Sequence, residues 1–283
     1  MTEATGATGT GWIHITAYPG EDVHYITPNT AVKGGIQGDA SSYGHYISIS
    51  NLHLESSANA ISDAAPINVQ EAAGPWRIVN NDLGPWPSTL AAPGNAKAGG
   101  IASSGMAPLN VYGNYIHDIE CAKGQVTNPL ENHGIYLDSD STGAYDIAFN
   151  NFQNIPGGSG LQLYNAVATT NNVTFHHNIL NGIGKHGINV VNFGTGLKIY
   201  DNLITNTQYG GMRFDGSTKS AKRFCVRKCG KTKSWSVFAI RRNAETLQNR
   251  CRPETPFPAC IRCMAGLRNR LLSFRPRGII FRS

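Results

Sequence analysis

The chain is poor in charge and, over most of its length, in cysteine. Only 15% of its 283 residues are charged, and no apolar run approaches the roughly 20 residues that a membrane-spanning helix requires. The composition therefore excludes a membrane protein, a collagen-like chain and a coiled coil. With 40% hydrophobic residues, the chain still has enough apolar side chains to bury a core.

Charge is unevenly distributed, and the imbalance divides the sequence near residue 216. Residues 1–216 carry 7 basic and 16 acidic side chains, whereas residues 217–283 carry 17 basic and 2 acidic ones and no histidine. The second part also holds five of the six cysteines, which are Cys225, Cys229, Cys251, Cys260 and Cys263. We therefore predict a domain over residues 1–216, followed by a separate basic segment over residues 217–283.

The acidic part is built from repeats. An asparagine recurs after a short apolar stretch, in copies that end at Asn51, Asn81, Asn114, Asn150, Asn178 and Asn202, 24 to 36 residues apart. A second frame begins with glycine and reads Gly134-Ile-Tyr-Leu, Gly160-Leu-Gln-Leu, Gly187-Ile-Asn-Val and Gly211-Met-Arg-Phe. Self-similarity of this kind is typical of a solenoid.

Each repeat has room for two or three short strands and none for a packed helix. Parallel strands without helical crossovers must wind into a coil, in which each strand stacks on its copy one turn later, about 4.8 Å away. The inward apolar residues then form a continuous core. We predict that the recurrent asparagines form the bends, where asparagine tolerates left-handed backbone, and that their amides stack in a buried ladder.

The combined pattern Ile-x-x-Asn-x-Ile followed by Gly-Ile-x-Leu resembles the right-handed parallel β-helix of the pectate-lyase-like superfamily. The segment from Trp12 to Glu21 adds to the resemblance, because an early strand ending in Ala-Tyr-Pro-Gly-Glu is frequent in bacterial members. The resemblance covers residues 10–216 and implies an all-β solenoid, with the basic segment not matching the fold. It also implies a polysaccharide partner, bound on the sheet formed by the Gly-Ile-x-Leu strands.

Alternation along the Gly-Ile-x-Leu strands places Ile and Leu inward and predicts that the neighbouring positions face solvent. These positions collect bases, amides and tyrosines, which are His133, Tyr136, Gln162, Tyr164, Lys185, His186, Asn189 and Arg213. Four acids, Glu131, Asp138, Asp140 and Asp215, lie on or beside the same strands. An extended face of this kind suits a linear polymer, which we expect the two tyrosines and the two amides to contact.

Two reactions fit these groups. β-Elimination at a uronic acid needs a base for the C5 proton and positive charge over the neighbouring carboxylate. The candidates for these roles are the basic residues Lys185, His186, Arg213 and His133, and the four acids offer the oxygen ligands that Ca²⁺ takes. Glycoside hydrolysis instead needs two carboxyl groups about 5–9.5 Å apart, which adjacent coils can supply.

Enzyme signatures do not decide between these reactions. Of the polygalacturonase signature, only the last part is matched, by Asn132-His133-Gly134 and Lys185-His186-Gly187. The arginine-centred pattern of pectate lyases and the Asp-Pro-His of alginate epimerases are absent. We expect a lyase acting on a uronic-acid-containing polysaccharide. Two alternatives stay open: a non-catalytic carbohydrate-binding solenoid, such as an adhesin or a phage tail-spike segment, and a truncated, inactive fragment.

The basic segment shows no repeat, and three interpretations compete. The first is an irregular or disordered end that is out of register with a longer solenoid. The second is a zinc module, because Cys225-x3-Cys229 and Cys260-x2-Cys263 have ligand-like spacing. The third is a tail that binds a nucleic acid or another polyanion, a partner not expected for the acidic part.

The sequence shows no export signal, since the start Met-Thr-Glu-Ala-Thr-Gly-Ala-Thr-Gly holds neither a basic nor an apolar segment. A β-helix usually carries an N-terminal cap, whereas the first strand here lies close to residue 10. We therefore expect a piece of a longer parent protein that is secreted or displayed at the cell surface.

Overall fold

The computed structural model describes residues 11–27, 35–38, 46–56, 65–70, 75–86, 99–104, 108–119, 132–138, 144–164, 172–191, 196–215, 225–229 and 234–238. These ranges form strands joined by turns, and they contain no helix long and apolar enough to cross a membrane. By internal contacts the chain divides into residues 1–240 and 241–283, and the second unit lies wholly outside the described residues.

The strands β1 to β21 form three parallel sheets, and each coil contributes one strand to each sheet. The first sheet contains β1 (Ile13–Thr16), β4 (Ile47–Ser50), β7 (Trp76–Val79), β10 (Leu109–Tyr112), β13 (Ala144–Ala148), β16 (Asn172–His176) and β19 (Lys198–Tyr200). The second contains β2 (His24–Thr27), β5 (His53–Ser56), β8 (Asp82–Leu83), β11 (Tyr115–His117), β14 (Asn151–Ile155), β17 (Ile179–Ile183) and β20 (Asn202–Thr207). The third contains β3 (Ile36–Gly38), β6 (Ile67–Gln70), β9 (Gly99–Ser104), β12 (His133–Asp138), β15 (Leu161–Tyr164), β18 (His186–Val191) and β21 (Gly210–Asp215).

Successive coils stack in register, so the same inward position recurs down each sheet. In the first sheet one such column runs through Ile78, Val111, Ile147, Phe175 and Ile199, all of which are buried. The three sheets together enclose one apolar core. The winding is right-handed, as parallel crossovers are in nearly all proteins. The predicted right-handed parallel β-helix is confirmed.

Five asparagines form a buried amide ladder at the corner between the first and second sheets. Asn81, Asn114, Asn150, Asn178 and Asn202 are exposed by 4% or less. In the last four, Oδ1 accepts two hydrogen bonds from the asparagine one coil earlier, from its backbone N–H and its Nδ2, at 2.9–3.0 Å. Each Nδ2 also donates to a first-sheet carbonyl. The predicted ladder is confirmed.

The left-handed residue of each bend is not the ladder asparagine but the residue before it. This position has φ between 53° and 66° and is occupied by Asn51, Asn80, Gly113, Phe149, His177 and Asp201. We predicted left-handed backbone at the ladder asparagines themselves, and that prediction is wrong by one residue. The physical reason is that the ladder side chain points inward to bond its neighbours, so the preceding residue makes the turn.

The first repeat has no asparagine at the ladder position. Asn51 occupies the left-handed position that Asn80 holds one coil later, and Leu52 occupies the ladder position. Leu52 has no amide to offer, but its backbone N–H donates to Oδ1 of Asn81 at 3.2 Å. The ladder therefore begins with a backbone donor rather than with a side chain.

The glycine of the Gly-Ile-x-Leu frame lies where the third-sheet backbone meets the second sheet. A Cβ on Gly134 would lie 2.6 Å from the carbonyl oxygen of Gly160 and 2.6 Å from Cδ1 of Phe152. Gly100, Gly160 and Gly187 have the same conflict with the next coil's carbonyl and a second-sheet core side chain. Close approach of the two sheets therefore requires glycine in this frame.

Part of the basic segment continues the second sheet. The strand β22 (Cys225–Cys229) pairs antiparallel with β23 (Ser234–Phe238), and β23 pairs antiparallel with β20, with Val237 opposite Asn202. We predicted that residues 217–283 are irregular or disordered, and this hairpin is the part of the segment that the structure describes. The free edge of a last coil presents unpaired backbone N–H and C=O groups, and a paired hairpin satisfies them.

We predict that Asn150→Ala destabilises the protein strongly. The change removes the acceptor of the Asn114 N–H and Nδ2 groups and the donor to the carbonyls of Val111 and Ala148. Each buried polar group left without a partner costs about 1–3 kcal/mol, so we expect a loss of at least about 3 kcal/mol in the free energy of unfolding. Urea denaturation followed by circular dichroism measures it. The exposed neighbour Asn151→Ala is the control, and equal effects of the two changes would contradict the role of the ladder.

Candidate functional site

The outward positions of the third sheet form one column along the coils. In register down the sheet this column contains Gln37, Asn68, Ala102, Tyr136, Gln162, Asn189 and Arg213. The inward residues on either side of it, such as Ile135 and Leu137, are buried in the core. The predicted alternation is therefore present, and the column is the face on which we expected a polymer to lie.

The solvent exposure that we expected on this sheet is wrong for four of the candidate residues, three in the column and His133 at the start of β12. His133 is 1% exposed, Tyr136 8%, Gln162 2% and Asn189 9%. Of the described candidates on this sheet, Tyr164 is 39% exposed and Arg213 is also exposed. A polymer lying on this surface would meet Tyr164 and Arg213 before the other four side chains.

These four side chains contact one another in two pairs, one between adjacent coils and one within a single strand. Nδ2 of Asn189 donates to Oε1 of Gln162 at 2.7 Å. The rings of His133 and Tyr136 stack with centroids 5.6 Å apart and an interplanar angle of 16°. Nδ1 of His133 accepts the backbone N–H of Ser159 at 2.9 Å. Gln162 and Asn189 are thus buried together in the middle of the column, and the sequence pattern could not show how closely neighbouring side chains cover each other.

Lys185 and His186 are neighbours in the chain, and Arg213 lies on the next strand of the third sheet, three register positions from His186. His186 begins β18 and is paired in register with Gly210 of β21, and its ring lies 5.9 Å from that of Tyr209. Burial, and then the positive charges of Arg213 and Lys185, lower the pKa of His186. The imidazole therefore stays neutral at a lower pH than an ordinary histidine and can accept a proton there.

The structure does not bring the four acids that we predicted to bind a metal to one site within the described residues. Asp138 and Asp215 are the last residues of β12 and β21, and two further coils lie between these strands. At about 4.8 Å per coil their backbones are about 14 Å apart, too far for one ion to bind both. Glu131 and Asp140 lie outside the described residues. The expected Ca²⁺ site stays a prediction that would involve residues near 131–140 alone.

A second polar surface, not predicted from the sequence, lies on the second sheet near its N-terminal end. In it, three histidines alternate with carboxylates in one continuous row. The row runs Glu55, His24, Asp22, His53, Asp82, His117 and Asp118, with N···O distances of 2.6–3.4 Å between neighbours. We call these seven residues the histidine–carboxylate row.

Stacking of the coils brings the row together. His24, His53, Asp82 and Tyr115 occupy the same position on β2, β5, β8 and β11. The rings of His24 and His53 stack with centroids 4.6 Å apart and an interplanar angle of 9°. Because neighbouring coils lie about 4.8 Å apart, aromatic rings at one register position can stack face to face.

Contacts in the row shift the pKa values of His24 and Asp118, and of Tyr115 beside the row. Hydrogen bonds to Glu55 and then to Asp22 raise the pKa of His24. Burial alone would raise the pKa of Asp118, but hydrogen bonds from His117 and Asn154 outweigh it and hold that pKa below its usual range. Burial and the charges of Asp118 and Asp82 raise the pKa of Tyr115. The row is therefore a coupled set of charged groups.

A surface groove lies beside the row. Its volume is about 510 Å³, and its lining includes Asp22, Asn51, His53, Asp82 and Tyr115. Most of these side chains are polar, so the groove suits a small hydrophilic ligand or ion rather than an apolar one.

The sequence did contain a signal for the row. In β5, β8, β11 and β14 the strand starts at the residue after the ladder position, and these residues are His53, Asp82, Tyr115 and Asn151. Alternation applied to these strands places the same residues outward, as it did for the Gly-Ile-x-Leu strands. Alternation could not have predicted Asp22 and Asp118, because Asp22 precedes β2 and Asp118 follows β11.

A smaller polar cluster lies on the first sheet. Asp146 accepts a hydrogen bond from the hydroxyl of Tyr112 at 2.9 Å and lies 3.0 Å from Nε2 of His176. Burial and then the bond to Asp146 raise the pKa of Tyr112 to about 12. His176 also stacks on Tyr200 with centroids 4.8 Å apart. These contacts link neighbouring coils and give no sign of a reactive group.

The fold and these surfaces define a parallel β-helix protein, a class that the strand pairing alone establishes. No protein-family model matches the chain, and no curated protein sequence matches it. Among solved structures, the crystal structure of the Dettilon tailspike protein (gp208) matches with 12% sequence identity and a TM-score of 0.23. The match covers 70% of this chain and 46% of that tailspike. So low a TM-score adds no argument about the site.

We predict that Arg213→Gln raises the pKa of His186, because it removes a positive charge that opposes protonation of the imidazole. Burial and Lys185 remain, so the pKa should stay below that of an ordinary histidine. Titration of the His186 ring signals by nuclear magnetic resonance measures the shift. Arg77→Gln, on the first sheet beside Trp12, is the control, and an unchanged His186 titration in Arg213→Gln would contradict the coupling.

Proposed function

We propose that this protein is a polysaccharide-active β-helix that cleaves a uronic-acid-containing polymer by β-elimination. The observation that carries the proposal is the half-buried His186, whose neutral form is favoured by burial and by the nearby charges of Arg213 and Lys185. A neutral base beside two cations matches the demands of this reaction, which removes a proton next to a carboxylate.

The roles of the three residues follow from their chemistry. His186 takes the C5 proton of the uronic acid, and the two electrons of that C–H bond form the new C4–C5 double bond. The C4–O bond breaks, and the departing sugar oxygen takes a proton from solvent or from a protonated side chain. Arg213 pairs with the uronate carboxylate, where negative charge develops, and Lys185 adds a second positive charge.

The other residues of the third-sheet column support Arg213. Asn189 is the register neighbour of Arg213 and is held by its hydrogen bond to Gln162. The buried amides thus support the strand surface that carries Arg213, and Tyr164, which is 39% exposed, is the ring that we propose contacts a sugar. We proposed substrate contacts for Tyr136, Gln162 and Asn189 from the sequence, and their burial favours Tyr164 over them.

The test is incubation of the full chain with a panel of uronate polymers, monitored by the ultraviolet absorbance of the conjugated double bond. We expect His186→Ala to lower the rate by about 10²-fold or more, the usual contribution of a general base. Arg213→Gln should lower it by a similar factor, since it removes stabilisation of developing charge. The exposed His14→Ala, on the first sheet, is the matched control.

The possible results separate the competing functions. Reducing ends without a double bond would indicate a glycoside hydrolase and overturn the elimination mechanism. Glycan binding without turnover would indicate a non-catalytic carbohydrate-binding solenoid, such as an adhesin or a tail-spike segment. Neither binding nor turnover on any polymer would favour an inactive fragment.

A further inference from the structure

The N-terminal end of the histidine–carboxylate row brings two imidazoles and one carboxylate to a single point. Nε2 of His53 lies 2.9 Å from one carboxylate oxygen of Asp22, and Nε2 of His24 lies 3.4 Å from the other. The two rings come from adjacent coils and are stacked. Because both rings direct Nε2 toward the carboxylate of Asp22, the three possible metal ligands lie close together.

The second nitrogen of each ring is held by a different carboxylate. Nδ1 of His24 lies 3.2 Å from Oε1 of Glu55, and Nδ1 of His53 lies 3.1 Å from Oδ2 of Asp82. A carboxylate acceptor fixes the proton on Nδ1 and leaves the Nε2 lone pair for another partner. Metal-binding histidines have this arrangement, with the outer nitrogen donating to a carboxylate.

The spacing of the three groups suits a small ion. One ligand atom from each of Asp22, His24 and His53 lies within 4.8 Å of the other two. Ligands about 2.0–2.1 Å from a tetrahedral ion are about 3.3 Å apart, close to the two distances to Asp22.

The composition of the site selects among metals. Two imidazoles and one carboxylate suit Zn²⁺ and related first-row transition ions, whereas Ca²⁺ and Mg²⁺ prefer oxygen ligands alone. Three protein ligands leave at least one position for water or a ligand. That position adjoins the groove of about 510 Å³, which Asp22 and His53 also line.

We propose that Asp22, His24 and His53 bind a divalent transition metal ion of the Zn²⁺ class, with Glu55 and Asp82 as positioning residues for the two imidazoles. The site lies on the second sheet and uses none of the residues of the proposed lyase site. Its existence therefore does not depend on that activity.

The test is calorimetric titration of the full chain with Zn²⁺. The cysteines are first alkylated, because five of the six lie in the basic segment and thiolates would compete for zinc. We expect one equivalent to bind and to shift the nuclear magnetic resonance signals of the His24 and His53 rings. His53→Ala should abolish that equivalent, whereas the exposed His14→Ala should leave it unchanged.

A second variant tests the positioning carboxylate. Asp82→Asn keeps all three ligands and removes the charge beside Nδ1 of His53, so we expect about 10–100-fold weaker zinc binding without loss of the site. Thermal unfolding followed by circular dichroism checks that each variant folds. Unchanged affinity in Asp82→Asn would overturn the role of that carboxylate.

The proposal itself fails in either of two ways. The alkylated chain could bind no zinc, or His24→Ala and His53→Ala could both bind it as the parent protein does. In both cases the row would be a set of histidine–carboxylate contacts that joins the coils and holds no metal. Failure of the lyase assay would leave this result unaffected.

Discussion

The structure depends on one constraint, which is that an amide placed inside an apolar solenoid must satisfy every polar atom it carries. The ladder from Asn81 to Asn202 does so only if each coil places its asparagine directly beneath the previous one. A buried amide left without partners costs more than most apolar contacts contribute. The ladder therefore fixes the rotation of each coil on the next, and the register of all three sheets follows from that rotation.

Register in turn converts sequence positions into columns of side chains. A residue type repeated at one position forms a column of side chains about 4.8 Å apart. The types of side chain in a column determine how they bond and how exposed they are. In the third-sheet column Asn189 bonds Gln162, and Tyr136 stacks on His133 of its own strand, and all four side chains are buried. Histidines and acids on the second sheet also bond each other, yet they remain partly exposed. Arg213 ends its column and projects into solvent.

The sequence predicted the fold because repetition and apolar spacing are local properties. The coils, the Asn150 ladder and the inward Ile135 and Leu137 all follow from period and alternation. The burial of Gln162 and Asn189 did not follow, since it depends on how neighbouring coils cover each other. The left-handed bend at Phe149 was missed because asparagine's preference for that conformation was assigned to Asn150, whose side chain is used for bonding instead. The row at His24 and His53 was not predicted, because we predicted outward residues for the Gly-Ile-x-Leu strands and not for the second-sheet strands.

The corners of the coil differ in how much length they tolerate. From β4 onward the connection between the first and second sheets is one or two residues long, as in residues 113–114, 149–150 and 177–178. Between the second and third sheets it ranges from residues 118–132 in one coil to residues 184–185 in another. One corner thus sets the geometry, while another accepts insertions and deletions without changing it. Such a protein can acquire new surface segments during evolution, or receive grafted ones by design, while the solenoid that carries them stays the same.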